Sequence, residues 1–475
     1  MENKSENIKV RIAPSPTGAL HVGTAHTALF NFLFAKHYGG RFVMRIEDTD
    51  KERSEEKWEK DILENLKWLG LEWDEIYKQS ERTGIYTQYI EKLLQEKTAF
   101  YCWHTQEELE QERKAQAKKK EAPRHICAYR DSAPDENEIN TSIIRFKNTH
   151  TGKISFEDAV KGKISFTAEL LGDFSIAKNI SGPLYNFAVV VDDFEMKITH
   201  VLRGEDHIPN TPKQILLQRA LGFNKPEYIH IPLILGADRS KLSKRHGATS
   251  VSTYAKSGYL PDTMFNFLSL LGWRPKEDGK EIMTSDQIIK EFAVEDIQKS
   301  PAIFDIEKLD WMNGQYLRKL DTGKFAELCM PYLKEAGLLK EELDTEFIKK
   351  AVSLEQTRVK KLEDIAEATE FFFKEPQYEA PMLIWKQMTK EELINILQNV
   401  RGIIKNIDEK SWNMEELEKL IMPEAEETGD RGKMLWPLRV ALTGKKASPG
   451  PFEVMNVLGK EEVLKRIEAA IEKNK

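Results

Sequence analysis

The residues from Arg11 to Thr24 have the types and spacing needed to bind and activate a nucleoside triphosphate. They end a short apolar strand, pass through a turn rich in proline and glycine, and begin a helix near His21. The free N–H groups and the dipole of a helix N-terminus favour anions such as phosphate. Gly23 leaves room for a flat base or a ribose, and His21 could donate a hydrogen bond to a phosphate oxygen during reaction. The simpler alternative, a histidine in a first helical turn beside a packing glycine, is the commoner case for so short a motif.

A second segment, Lys241 to Arg245, is a short basic loop that follows an apolar strand predicted at 228–235. A flexible cationic loop can neutralise a leaving pyrophosphate and then move away. The candidate catalytic residues are therefore His21, Lys241 and Lys244. A run of charges is more often a solvated turn, but together with the first segment this loop indicates a pocket that grips a triphosphate from two sides. The sequence thus favours adenylate chemistry.

The elements around these segments predict a doubly wound parallel sheet. Alternating apolar residues indicate strands at 8–13 and 41–46, and apolar residues spaced by three and four indicate a helix between them. Strand, helix and strand form a parallel crossover unit, whose ligands bind beyond the carboxyl ends of the strands. A further helix is predicted at 51–69, with Asp50 as its N-cap. The predicted fold class is α/β: a Rossmann-like sheet with an α+β insertion, followed by an all-α C-terminal half.

The composition limits the class of protein. The chain has 475 residues, of which 40% are apolar and 31% charged, with three cysteines and a net charge of −7. No apolar run is long enough to span a membrane, the N-terminus lacks the apolar stretch of a signal peptide, and an odd, small number of cysteines is typical of a reducing compartment. We therefore expect a cytoplasmic protein with no membrane partner. Its acidity does not exclude RNA, because cations are gathered locally at 113–124 and 431–446.

Several motifs carry a resemblance to a known family. His21-Val-Gly-Thr24 and Lys241-Leu-Ser-Lys-Arg245 resemble the two signatures of class I aminoacyl-tRNA synthetases. The segments that resemble glutamyl-tRNA synthetases of the bacterial type are Arg11–Gly18, Arg45–Asp50, Tyr185–Ala188, Asp192-Asp193 and Arg203–His207. The length and helical character of the second half also agree, so the resemblance covers nearly the whole chain.

The resemblance implies a reaction and its partners. L-Glutamate would be activated by ATP, with Mg²⁺ on the phosphates, to a glutamyl-adenylate, and then transferred to the terminal adenosine of tRNA(Glu). It implies a monomer without a DNA partner. Two alternatives stay open: a non-discriminating enzyme that also charges tRNA(Gln), and a nucleotide-binding paralogue without charging activity. The shorter relatives that glutamylate a tRNA base lack the long helical second half, and the 13–18 segment resembles the glutamyl rather than the glutaminyl pattern.

The resemblance also implies site residues. The ATP-binding residues would be His21, Gly23, Thr24, Lys241, Ser243 and Lys244. The glutamate-binding residues would be Arg11, Ala13, Ser15, Glu47, Tyr185 and Arg203. Arg11 and Arg203 would hold the side-chain carboxylate, since a planar guanidinium pairs with two oxygens at once. Tyr185 would add a hydroxyl donor, and Glu47 would pair with the α-ammonium. Val189 stands where some family members carry asparagine, which leaves a contact with the α-amino end open at that point.

Two short pairs of cysteine and histidine form a candidate zinc set. They are Cys102, His104, His125 and Cys127. Some bacterial relatives hold zinc in this insertion, but their second pair lies where this chain has Tyr129 and Asp131, and their Cys-x-Cys pair is missing here. We therefore expect no resident metal, with zinc disfavoured.

The same patterns and the resemblance divide the chain into regions. Residues 1–84 and 185–245 are expected to form the two halves of the catalytic domain, separated by an acceptor-stem-binding insertion at 85–184. A helical stem-contact region at 246–322 and an α-helical anticodon-binding region at 323–475 would follow. The RNA contacts come from the resemblance alone, because periodicity indicates only that the second half is helical.

Overall fold

The computed structural model of the chain describes residues 8–50, 52–132, 142–243, 245, 249–339 and 344–475. They form two compact units. Unit 1 lies within 1–255 and 261–309, and unit 2 within 256–260 and 310–475. No helix of the described residues is long and apolar enough to cross a bilayer.

Unit 1 begins with alternating strands and helices. They are β1 (Lys9–Ile12), α1 (Val22–His37), β2 (Arg41–Ile46), α2 (Glu56–Trp68) and β3 (Glu75–Lys78). β2 lies between β1 and β3 and runs parallel to both. Val10, Phe42 and Met44 are fully buried in this sheet. The predicted crossover unit and the α/β class are confirmed.

Helix α2 begins later than the sequence predicts. The prediction that Asp50 caps a helix at 51–69 is wrong, because Glu55 occupies the N-cap position and the helix begins at Glu56. The carbonyl of Asp50 instead accepts hydrogen bonds from the backbone N–H groups of Arg53 and Ser54. A local turn therefore precedes the helix.

An α+β segment follows. Its elements are α3 (Thr83–Gln95), β4 (Ala99–Cys102), α4 (Gln106–Lys118), β5 (Ile143–Phe146), β6 (Lys153–Asp158), β7 (Gly162–Thr167) and β8 (Ser175–Ala177). β5 lies between β4 and β8 in an antiparallel sheet. β6 and β7 form an antiparallel hairpin, whose strand β6 joins the second parallel sheet at Asp158.

The chain then returns to parallel structure. The elements are α5 (Tyr185–Glu195), β9 (His200–Gly204), α6 (Thr211–Leu221), β10 (Glu227–Ile231), β11 (Ile234–Leu235), α7 (Val251–Lys256), α8 (Pro261–Leu270), α9 (Ser285–Glu291) and β12 (Ala302–Ile303). β9 and β10 are parallel, and the backbone N–H of Thr199 donates to the carbonyl of Lys9 at 2.9 Å, which sets β9 beside β1. The strand predicted at 228–235 is two strands, separated at Pro232, which has no N–H to donate.

Unit 2 is helical. It contains most of α10 (Ile306–Lys319), then α11 (Thr322–Glu335), α12 (Thr345–Ser353), α13 (Asp364–Phe373), α14 (Lys390–Lys405), α15 (Met414–Glu427), α16 (Gly432–Thr443), α17 (Pro451–Leu458) and α18 (Lys460–Asn474). Buried apolar side chains of these helices form its core. The predicted all-α second half is confirmed.

Candidate active site

A cavity of about 510 Å³ opens beyond the carboxyl ends of β1, β2 and β9. Most of the residues predicted for the site line it. They are Arg11, Ala13, Ser15, His21, Gly23, Thr24, Glu47, Tyr185, Arg203 and Lys241. Ser243 is outside this lining, and Val189 is buried away from it. Lys244 lies outside the described residues, so its role stays a prediction.

Backbone hydrogen bonds bring the start of α1 against the chain that follows the basic loop. The N–H of Val22 donates to the carbonyl of Thr249 at 2.8 Å, and the N–H of Val251 donates to the carbonyl of Leu20 at 3.0 Å. On the other side of the loop, Lys241 forms a bridge with Leu235 of β11. The two segments singled out in the sequence therefore meet at one cavity.

His21 occupies the N-cap position of α1. Its Nδ1 accepts a hydrogen bond from the backbone N–H of Gly23 at 3.0 Å. Burial and the charge of Lys241 lower the pKa of His21, so the ring is neutral and its proton is on Nε2. A Cβ at Gly23 would lie 3.3 Å from Nδ1, so a larger residue there would press on the ring of His21. The arrangement leaves His21 a single N–H donor for a ligand.

Asp193 is the buried partner of two arginines. It accepts from Nε and Nη2 of Arg11 at 3.0 and 3.3 Å, and from Nη1 of Arg45 at 2.7 Å. Burial acts to raise the pKa of Asp193, but Arg11 and Arg45 hold it below its ordinary value. Arg45 also donates to Glu47 at 3.3 Å. Helix α5 thereby fixes the side chains of Arg11 on β1 and Arg45 on β2. Through Arg45 it also fixes Glu47, which follows the carboxyl end of β2.

The neighbouring Asp192 has separate partners. It accepts from Gln79 at 2.9 Å, from Arg82 at 2.7 Å and from the hydroxyl of Tyr86 at 2.9 Å. Its nearest contact with Arg45 is longer, at 3.7 Å. Asp192 therefore ties the helix α5 to the segment after β3.

Arg203 is buried at the carboxyl end of β9 and is held by neutral side chains. Its Nε, Nη1 and Nη2 donate to His230, Gln214 and Thr211 at 3.1, 2.9 and 2.8 Å. None of the hydrogen bonds recorded for Arg203 within the described part of the chain goes to a carboxylate. Burial lowers its pKa. Among the described residues, the hydrogen-bond partners of this guanidinium are all neutral.

The outer wall of the cavity carries Tyr185, His207 and the Lys241–Asp206 ion pair. The hydroxyl of Tyr185 lies 3.0 Å from Nδ1 of His207. Burial and Arg203 lower the pKa of His207 to about 4, so it is neutral at pH 7. Lys241 donates to Asp206 at 2.8 Å, and both side chains are well exposed. Such an exposed pair is weak, so Lys241 can exchange Asp206 for a phosphate.

Sequence reasoning assigned no role to Asp193, Arg45 or His230. Asp193 and Arg45 stood inside motifs noted only for resemblance. His230 interrupts the apolar run of a buried strand, and this interruption was the available signal. A polar residue in a fully buried strand needs a partner, which the sequence cannot name.

The cysteine–histidine set converges in the insertion. The donor atoms of Cys102, His104, His125 and Cys127 all lie within 4.8 Å of one another. Nδ1 of His104 is 3.5 Å from both thiol sulfurs. Two thiols and two imidazoles at such spacing fit a tetrahedral zinc site. The positions of these residues in the sequence differ from those of the zinc-binding relatives, yet the four side chains still converge. The difference in spacing is therefore no argument against a metal.

His125 shows how it would face a metal. Its Nδ1 lies 2.6 Å from the carboxylate of Glu112 on α4. Its Nε2 is buried and has no hydrogen-bond partner among the described residues. A histidine that donates one nitrogen to a carboxylate and turns the other toward the metal is the usual arrangement of a zinc ligand.

Known proteins resemble the chain over nearly its whole length. The profile of "tRNA synthetases class I (E and Q), catalytic domain" matches residues 7–311, and that of "Anticodon binding domain" matches 324–471. Glutamate–tRNA ligase 2 of Thermoanaerobacter pseudethanolicus is 43% identical over 473 residues, covering 98% of each chain. Glutamate–tRNA ligase of Aquifex aeolicus is 44% identical over 474 residues, covering 98% of this chain and 99% of its own.

A solved structure agrees with these relatives. The glutamate tRNA ligase from Elizabethkingia meningosepticum, crystallised in complex with its amino acid, is 35% identical and has a TM-score of 0.86. The match covers 99% of this chain and all of that one.

Replacing Glu47 by glutamine is expected to stabilise the protein at pH 8. Burial raises the pKa of Glu47 from 4.5 to about 7, against the opposing charges of Arg45 and Arg11. Ionisation of Glu47 therefore lowers the free energy of unfolding as the pH rises from 4.5 to about 7. Above that range the whole loss, up to about 3 kcal/mol, is present. Thermal melts should place Glu47→Gln above wild type at pH 8 and by much less at pH 5.

The control is Glu227→Gln, which removes an exposed carboxylate. It should change the melting temperature little at either pH. A Glu47→Gln protein that melts below wild type at pH 8, or whose shift is equal at both pH values, contradicts the assignment.

Proposed function

The chain belongs to the class I tRNA synthetases of the glutamyl and glutaminyl type, and we propose that it ligates L-glutamate to tRNA(Glu) through a glutamyl-adenylate. The family match covers both the catalytic and the anticodon-binding parts. The observation that carries the choice of substrate is the charge arrangement of the cavity. The hydrogen bonds of Arg203 to described residues all go to neutral side chains. Glu47 lines the same cavity as a buried carboxyl group whose pKa is raised by burial.

Glutamate fits this arrangement group by group. Its side-chain carboxylate would pair with Arg203, with Arg11 and the hydroxyl of Tyr185 nearby in the same lining. Its α-ammonium would pair with Glu47, which lowers the pKa of that carboxyl and keeps it ionised. Ala13 and Ser15 would line the space between them. A neutral glutamine side chain would leave Arg203 without a counter-charge in a buried position, which costs free energy.

The first step is activation. A carboxylate oxygen of glutamate attacks the α-phosphorus of ATP, and the bond to the bridging oxygen breaks to release pyrophosphate. The protein's contribution is to position the reactants and stabilise charge. His21 would donate its Nε2–H to a phosphate oxygen, and Lys241, Lys244 and Ser243 would contact the leaving pyrophosphate. Gly23 and Thr24 would accommodate the nucleotide, and Mg²⁺ would neutralise charge on its phosphates.

The second step is transfer. The terminal ribose hydroxyl of the tRNA attacks the glutamyl carbonyl carbon, and AMP leaves with the electrons of the mixed anhydride bond. We assign the acceptor stem to the insertion at 85–184 and the helical region at 246–322, and the anticodon to 323–475. The catalytic domain would be the pair 1–84 and 185–245. The protein would act in the cytoplasm as a monomer.

A charging assay tests the whole proposal. Purified protein, ATP, Mg²⁺ and labelled glutamate should give glutamyl-tRNA with tRNA(Glu). Running the same assay with tRNA(Gln) separates a discriminating from a non-discriminating enzyme. If neither tRNA is charged, the result favours the nucleotide-binding paralogue and contradicts the proposal.

Replacing His21 by alanine is expected to lower the rate of glutamate-dependent ATP–pyrophosphate exchange about a hundredfold, the scale for losing one preorganised donor. The KM for glutamate should change little, because His21 faces the phosphates. The assay must contain tRNA, since the resemblance implies that activation requires it. Lys244→Ala should lower the exchange rate to a similar extent. Near-normal exchange in both variants contradicts these roles.

We also propose that Cys102, His104, His125 and Cys127 hold a structural zinc ion. Such an ion contributes folding energy rather than chemistry at the active site. It would join the end of β4 to the segment after α4, and Glu112 would fix the orientation of His125. No step of the reaction depends on it.

Metal analysis of purified protein should find about one zinc per chain, and a strong chelator should lower the melting temperature. Glu112→Gln should weaken zinc binding about tenfold in competition with a chromophoric chelator, the lower end of such effects. Glu110→Gln, on the same helix and exposed, should not. Protein grown with zinc that contains none, and whose melting is insensitive to chelator, contradicts the site.

A further inference from the structure

The guanidinium of Arg203 donates hydrogen bonds to three side chains that carry no charge. His230, Gln214 and Thr211 each accept one of its hydrogen bonds, at 3.1, 2.9 and 2.8 Å. By contrast, Arg11 in the same cavity lies against the carboxylate of Asp193. Arginines in protein interiors are ordinarily paired with anions. The neutral surroundings of Arg203 therefore need an explanation beyond packing.

His230 can accept from Arg203 only in one protonation state. A guanidinium has no acceptor atom, so Nε2 of His230 must carry a lone pair. Nδ1 of the same ring lies 2.6 Å from Oδ2 of Asp158, and a carboxylate can only accept, so Nδ1 carries the proton. Burial lowers the pKa of His230, as does the charge of Arg203, although Asp158 acts in the opposite direction. The ring is a neutral Nδ1–H tautomer.

Asp158 is itself fixed by the backbone. Its Oδ1 accepts from the N–H groups of Val160 and Lys161 at 3.0 and 2.8 Å, and its Oδ2 also accepts from the N–H of His230 at 3.0 Å. The side chains of Asp158 and His230 are both fully buried. Strand β6 of the insertion thus determines which nitrogen of a β10 histidine faces Arg203.

We propose that His230, oriented by Asp158, is a positioning residue that holds Arg203 in place while leaving its positive charge for the substrate's side-chain carboxylate. The inference rests on the proposed function, in which Arg203 binds that carboxylate. A carboxylate in the position of His230 or Gln214 would hold Arg203 equally well but would neutralise it. The neutral acceptors therefore determine specificity: they fix the geometry and preserve the preference for an acidic over an amide side chain.

A matched pair of variants separates the two nitrogens of His230. In His230→Gln, the longer side chain brings an acceptor near the position of Nε2 but gives up the hydrogen bond to Asp158. In His230→Asn, the shorter side chain can still donate to Asp158 but does not reach Arg203. We expect the KM for glutamate in tRNA charging to rise about tenfold or more for His230→Asn. His230→Gln should raise it less, by a few fold, because the acceptor for Arg203 is kept but is no longer oriented by Asp158, and kcat and the KM for ATP should change little in both.

A merely structural role gives the opposite order. If the link between Asp158 and His230 matters only for packing, His230→Gln should be the more damaged variant and His230→Asn should keep the wild-type KM. That result, or equal KM values in both variants, overturns the proposal. Melting temperatures of both proteins show how much each substitution costs the fold.

Gln214→Glu provides a test that leaves His230 and Asp158 intact. The substitution keeps the size of the side chain and places a carboxylate against Nη1 of Arg203. We expect the ratio of kcat/KM for glutamate to that for glutamine to fall at least tenfold, because Arg203 is then already neutralised. An unchanged ratio overturns the proposal even if His230→Asn fails to fold.

The same assays distinguish this inference from the function on which it rests. If the wild-type protein charges neither tRNA, the proposed function fails. If it charges tRNA and Arg203→Lys leaves the KM for glutamate at the wild-type value, Arg203 does not bind the substrate, and the present inference fails while the function stands. If Arg203→Lys raises that KM while the His230 and Gln214 variants behave as wild type, only the present inference fails.

Discussion

The pairing of Asp193 with Arg11 and Arg45 is the contact on which the candidate site depends. Arg11 belongs to β1, Arg45 to β2 and Asp193 to α5, so a single carboxylate joins three elements that are distant in the chain. All three side chains are buried. Removing one member of such a group leaves an uncompensated buried charge, which costs about 3–5 kcal/mol. The geometry of the strand ends, and of Glu47 beyond them, follows from this contact.

Buried charge also bears on the substrate proposed for the site. Arg11, Arg45 and Arg82 each lie against the carboxylate of Asp192 or Asp193, and Arg45 also contacts Glu47. The hydrogen bonds of Arg203 to described residues go to neutral acceptors instead. An acidic substrate side chain would supply the negative charge that these acceptors do not.

Much of this could be predicted from the sequence, and the limits have physical causes. Period and turn residues locate the strand ends and place His21 at a helix start, whereas the roles predicted for Arg11, Glu47 and Arg203 come from the resemblance to the family. The partners of these residues could not be predicted, because Asp158 meets His230 only through the pairing of β6 with β10. The convergence of Cys102, His104, His125 and Cys127 could not be predicted for a related reason, because spacing along the chain does not give distance in space.

The contrast between Arg11 and Arg203 shows how two chemically identical side chains in one cavity acquire different tasks. Arg11 is held by a carboxylate, which fixes it and neutralises it, so in the proposed function it would contribute shape and hydrogen-bond donors to the substrate site. Arg203 is held by an imidazole, an amide and a hydroxyl, which fix it without neutralising it. A cation that recognises an acidic side chain must be both fixed in place and not already neutralised. A flexible cation would lose conformational entropy on binding, and a neutralised one would gain little electrostatic free energy. Neutral acceptors around a buried cation meet both conditions, and in the proposed function the carboxylate of the substrate would offset the free energy of keeping that cation buried.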